Sequence, residues 1–92
     1  MQRLNERELT AALPTLPGWS VVDDGLEKTF ALPDYYRVMA LVNAIAFVAH
    51  RADHHPDLGV FYNKIHVRYT THDAGGITAL DVAGAREVEA LT

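Results

Sequence analysis

Residues 34–72 read DYYRVMALVNAIAFVAHRADHHPDLGVFYNKIHVRYTTH, and within this stretch the spacing of apolar side chains changes from helical to alternating. Val38, Leu41, Ile45, Val48 and Ala52 recur at three- and four-residue intervals, which puts them on one side of an α-helix. Asp34, following Pro33, supplies its N-cap. The helix is expected to run to about His54, because Pro56 biases His55 away from the α region. Further on, Ile65, Val67 and Tyr69 alternate with His66, Arg68 and Thr70, the pattern of a half-buried strand. Arms of about equal length, Asp57 to Tyr62 and Ile65 to Thr70, on either side of a turn near Asn63-Lys64 make a hairpin.

Working outward, a second hairpin precedes the helix. Its arms, Trp19–Val22 and Leu26–Leu32, are joined at Asp24-Gly25, a dipeptide suited to the positive φ angles of a tight turn. Leu26, Phe30 and Leu32 share one face, and Glu27 and Thr29 the other. Lys28 falls on the apolar side, so it is expected near an edge or with its ammonium reaching out to water. At the start of the chain Asn5 and Glu8 form a capping box, with Leu4 and Leu9 at the staple positions; Pro14 and Pro17 stop that helix. At the other end the loop Asp73-Ala74-Gly75-Gly76 leads to Thr78-Ala79-Leu80-Asp81, a capping box opening the last helix. Hairpins separated by helices, with no βαβ rhythm, predict an α+β fold: an antiparallel four-stranded sheet with helices packed on one face, in one domain over residues 1–92.

Composition narrows the function classes. The net charge is −4 and no basic stripe is present, which argues against direct nucleic-acid binding. There is no cysteine, hence no disulfide, no thiolate nucleophile and no Cys-ligated zinc. The opening MQRLNERELT lacks the apolar core of a signal peptide, and the run Val38–Ala49, interrupted by Asn43, is too short to span a bilayer. A soluble cytoplasmic protein without membrane contact is expected. The central helix is apolar beyond one face, through Met39, Val42, Ala46 and Phe47, so a second subunit is expected against it. Ser20 is the only serine and has no base near it, and no glycine-rich phosphate loop is present.

The candidate chemistry lies in the histidines. His54 and His55 end the central helix, and the equal arms of the following hairpin return Thr71 and His72 opposite Pro56. Spacing therefore predicts that His54, His55 and His72 converge, with Asp81 in reach nine residues later. Imidazole titrates near ~6.5, so one ring can donate a proton while another accepts. Simpler readings exist for each residue. A His-His pair before proline can be a polar helix end, Asp81 is accounted for by its capping box, and His66 fits an outward strand position. Trp19 and Phe61 suit a core, although Phe61 stands close enough to wall a ring-shaped pocket. His50, His54 and His72 have zinc-like spacing, but without cysteine or a metalloprotease glutamate no metal is expected.

The set His50-Arg51-Ala52-Asp53-His54-His55-Pro56, Tyr62-Asn63-Lys64, Thr71-His72 and Asp81 resembles the pterin-4a-carbinolamine dehydratase family. Gly18-Trp19 before the first strand and Phe30 in the second agree, and the resemblance covers essentially the whole chain. It implies dehydration of 4a-hydroxytetrahydropterin to quinonoid dihydropterin, for tetrahydropterin recycling, without cofactor. On that resemblance His54 and His55 are the acid/base pair, and His72 orients substrate or shares the proton work. His50, Asp53, Asp81 and Phe61 are its expected substrate contacts. The best-known members carry glutamate where this chain has His50, which removes an acidic contact to the pterin. The resemblance also implies a homodimer or homotetramer, with Met39, Val42 and Phe47 near the contacts. Some members are protein partners through the long helix, one of them for a homeodomain transcription factor, and others that lack the histidines serve in assembly.

Overall fold

The computed structural model describes residues 1–92. Its elements are α1 (Glu6–Ala12), β1 (Ser20–Val22), β2 (Gly25–Ala31), α2 (Tyr35–Ala52), β3 (Asp57–Val60), β4 (Lys64–Tyr69) and α3 (Ala79–Glu89). Short 3-10 turns cover Leu13–Thr15 and His72–Ala74. The four strands form one antiparallel sheet in the order β1-β2-β4-β3, so the two hairpins join through β2 and β4. Leu26 and Phe30 of β2 and Ile65, Val67 and Tyr69 of β4 point to one face, where α2 and α3 cover them. Glu27, Thr29, His66 and Arg68 point to the other face, which no helix covers. This is the α+β arrangement that the alternation of the strands predicts.

Each helix has its expected start. Asn5 and Glu8 close a capping box on α1. The Asp34 side chain accepts from the Arg37 backbone N–H (2.9 Å) and pairs with the Arg37 guanidinium. Val38, Leu41, Ile45, Val48 and Ala49 are the buried side of α2, each large side chain contributing roughly 1.5–3 kcal/mol by burial. Gly84 brings α3 onto β4, since a Cβ there would stand 2.5 Å from the Tyr69 ring.

Four details differ from the sequence reading. The β1–β2 turn is Asp23-Asp24, with φ of 47° and 62°, and not Asp24-Gly25, because Val22 pairs with Gly25. Gly25 is instead the first residue of β2 and lies under the Arg68 guanidinium, where a Cβ would collide. Lys28 does not reach into water. Its ammonium pairs with Glu89, which also accepts from the Trp19 indole (2.7 Å), and it donates to the Pro17 carbonyl (3.0 Å). The second hairpin is shorter than expected, β3 ending at Val60 and β4 running from Lys64 to Tyr69. Finally, α2 ends at Ala52, two residues early, with Asp53 in the left-handed region at φ 53°.

The turn geometry carries a prediction. Both central residues have positive φ, and glycine reaches that region without the steric cost a side chain incurs. Asp24→Gly should raise stability by about 0.5–1 kcal/mol in urea unfolding, despite glycine's greater unfolded-state freedom. A loss of stability would show that the Asp24 side chain holds the turn.

Candidate active site

The end of α2 builds one wall of the site. The His54 N–H bonds to the Ala49 carbonyl and the Asp53 N–H to the His50 carbonyl, each at 3.1 Å. This is the paired closure of a Schellman motif, with Asp53 where glycine is more usual. It turns the chain sharply, so that His54 and His55 leave the helix and Pro56 is buried behind them. The opposite wall comes from the far end of β4, where Thr71 bridges to Gly76 and His72 opens a 3-10 turn.

Asp81, fully buried, joins the two walls. One carboxylate oxygen accepts from the Thr78 N–H and the Thr71 hydroxyl, both at 2.8 Å. The other lies 2.6 Å from His54 Nε2. A carboxylate held this way is an acceptor toward the imidazole, which assigns the neutral ring's proton to Nε2 and leaves Nδ1 as the acceptor. The His54 ring also stacks on Tyr69, centroids 5.7 Å apart and planes 23° apart. Its side chain is 14% exposed, and the carboxylate and the phenol ring together fix its plane.

A cavity of about 290 Å³ opens in front of these groups. His54, His55 and His72 line it together with Asp53, Asp57 and Asp73. Arg68, Thr70 and Thr71 complete the lining, and no hydrophobic residue contributes. Three imidazoles beside carboxylates can pass protons to and from a ligand of about two fused rings. No group of three His, Asp or Glu side chains is arranged to hold a metal ion.

The structure therefore brings His54, His55, His72 and Asp53 to one cavity. Asp81 stands behind His54 rather than on the surface of the cavity. Two expected contacts lie elsewhere. His50 is exposed on α2, because the helix ends before His54 and the one-face relation of residues four apart no longer holds. Phe61 lies beyond the far end of β3, about 13 Å along the strand from Asp57 at ~3.3 Å per residue. There it is half exposed, under the Lys64 ammonium at 5.1 Å. Sequence reasoning passed over Asp57, Arg68, Thr70 and Tyr69, whereas Thr71 was expected beside His72. Arg68 and Thr70 had a signal in the alternation of β4, which puts both on the face opposite Val67.

Burial, then the nearby charges of Asp81 and Glu87, push the Tyr69 phenol up from 10.0 to about 12. The folded state thus favours the neutral phenol. Its contribution is fully present below pH ~10, the unfolded value, and is lost as pH rises through about 12. Denaturant unfolding should show an alkaline loss of roughly 2–3 kcal/mol across this window. Tyr69→Phe keeps the ring and should flatten that part of the pH profile; an unchanged profile would assign the loss to other groups.

Comparison with known proteins places the chain among named relatives. A family model described as pterin 4 alpha carbinolamine dehydratase matches residues 2–91. A protein of Xanthomonas euvesicatoria pv. vesicatoria, named provisionally a pterin-4-alpha-carbinolamine dehydratase, is 50% identical over 97% of this chain and 77% of its own. A Stenotrophomonas maltophilia protein of the same provisional name is 49% identical over 98% and 79%. Among solved structures, a transcriptional coactivator/pterin dehydratase from Brucella melitensis superposes with TM-score 0.94 at 34% identity, covering 98% of both chains. A pterin dehydratase-like protein identified as a RuBisCO assembly factor in the alpha-carboxysome shares the fold at TM-score 0.66, with 20% identity over 79% of this chain and 84% of that one.

Proposed function

Because this chain belongs to the pterin 4 alpha carbinolamine dehydratase family, we propose that it is an active hydro-lyase converting 4a-hydroxytetrahydropterin to quinonoid dihydropterin. The observation that carries this reading is the buried Asp81 carboxylate 2.6 Å from His54 Nε2, behind a cavity that His55 and His72 also line. The reaction breaks the C4a–O bond, removes the N5 proton, forms the C4a=N5 double bond and releases water. His54, oriented by Asp81, accepts the N5 proton at Nδ1. Asp81 stabilises the imidazolium so formed, as a carboxylate does for a general base. His55 or His72, in its protonated form, delivers a proton to the departing hydroxyl. Asp53 stands at the rim as a contact for ring N–H groups. No metal or organic cofactor is needed for either proton transfer.

No helix is long and apolar enough to cross a membrane, and a cysteine-free chain suits the reducing cytoplasm, where we place it. The face of α2 turned from the core leaves Tyr36 83% and Phe47 65% exposed, with Met39 half-buried beside them. This unpaired apolar face supports a homodimer or homotetramer built on α2. It also favours a second reading, a partner-protein role through the same helix, compatible with catalysis in the cavity that opens past its C-terminal end.

Two outcomes test these statements. A positioned acid or base contributes about 10²- to 10⁴-fold, so His54→Ala/His55→Ala should lose at least that in stopped-flow dehydration. Its melting temperature should fall as well, because the buried Asp81 loses a donor, and circular dichroism checks that the variant is folded at the assay temperature. Activity of the parent should survive chelation. A folded double variant dehydrating at the parental rate would sink the catalytic reading. For assembly, light scattering should give the mass of a dimer or tetramer at micromolar concentration, and Phe47→Lys should lower it. A parental mass of one chain would refute the oligomer.

A further inference from the structure

Away from the histidines the cavity continues along the uncovered face of the sheet. There Asp57 of β3 and Arg68 of β4 line it and are direct partners in the strand register. The Arg68 guanidinium is fixed without any ligand. Its Nη1 donates to the Val22 carbonyl (2.6 Å) and to Glu27 (2.9 Å), and its Nη2 donates to the Asp23 carbonyl (2.7 Å). A guanidinium carries five N–H donors in a rigid fork. Two of them, the Nε–H and one Nη2–H, therefore have no partner in the chain. No buried polar side-chain atom lacks a partner, so the unpaired Nε is open to solvent. Asp57 is exposed, and its carboxylate enters none of the chain's ion pairs.

We infer that Asp57 and Arg68 form the subsite that reads the lactam edge of the pterin ring. Asp57 accepts from the ring N3–H and 2-amino group, and Arg68 donates to the 4-oxo oxygen. The inference rests on the pterin substrate proposed above. An acceptor beside a donor is the complement of that edge, whose N–H groups lie beside a carbonyl, and two parallel N–H donors suit a carboxylate bidentately. Directly opposed cross-strand side chains leave the sheet about 4.5–5.5 Å apart, close enough to serve one ring. The position agrees with the chemistry. The 4-oxo carbon is bonded to the carbon that loses its hydroxyl, so a ring edge on Asp57 and Arg68 has its reacting centre toward the end of the cavity lined by His54, His55 and His72. Charge agrees as well. Glu27 neutralises Arg68, and Asp53, Asp57 and Asp73 leave the cavity acidic, which favours an N–H-rich edge over a phosphate or carboxylate.

The test compares binding of 7,8-dihydropterin with that of 2,4-diamino-7,8-dihydropteridine by calorimetry. The second compound presents a donor to Arg68 and an unprotonated ring nitrogen to Asp57, so both contacts are mismatched. The parent should prefer the 4-oxo compound by at least about tenfold, the effect of mismatching two charge-assisted contacts at once. Asp57→Asn, whose carboxylate holds nothing in the fold, should reduce that preference to within about twofold, since an amide can pair with either edge. Arg68→Gln should do the same, and its melting temperature checks that the β1–β2 turn stays in place. Equal binding of the two compounds by the parent overturns the subsite, as does a full preference retained by Asp57→Asn. If either occurs while the parent dehydrates carbinolamine, the enzymatic reading stands and only the subsite falls. A parent that binds neither compound overturns the subsite, and one that also fails to dehydrate carbinolamine overturns both readings.

Discussion

The buried Asp81 carboxylate is the contact on which the site depends. It accepts from the first turn of α3 through the Thr78 N–H, from the end of β4 through the Thr71 hydroxyl, and from the end of α2 through His54. Three segments distant in sequence thereby meet on one side chain. A carboxylate removed from water costs several kcal/mol unless its lone pairs are met. The three donors meet that cost only when all three segments are in place. The same contact that closes the capping box of α3 therefore sets the plane and tautomer of the imidazole.

Around that contact the sheet divides the molecule. Its inner face is apolar and packed under α2 and α3, and on that face Tyr69 stacks on His54. Its outer face carries Glu27, Thr29, His66 and Arg68, bound to one another and to the β1–β2 turn. The cavity lies where the outer face meets the end of α2, so a rigid core backs the histidines while solvent reaches them from the front. Ligand-facing groups on such a corner are held by two elements at once. That gives the preorganisation acid–base chemistry requires without a closing lid.

Much of this was legible in the chain itself. The change from helical to alternating periodicity across residues 34–72 determined α2, β4 and the face each buries, because periods of 3.6 and 2 arise from backbone geometry alone. Capping residues Asn5, Asp34 and Thr78 marked the three helix starts through local hydrogen bonds. The hairpin that follows α2 brought His72 back toward His54 and His55. Tertiary structure decided what depends on groups remote in sequence or on one backbone angle. Asp53 in the left-handed region ended α2 early and took His50 away from the cavity. The pairing of Val22 with Gly25 placed the turn on Asp23-Asp24 and freed Gly25 to lie beneath Arg68. Glu89, sixty-one residues from Lys28, captured an ammonium that local pattern would send to water. Periodicity reports which face a residue occupies; which partner waits there, and at what angle the chain turns away, is settled only when distant elements pack.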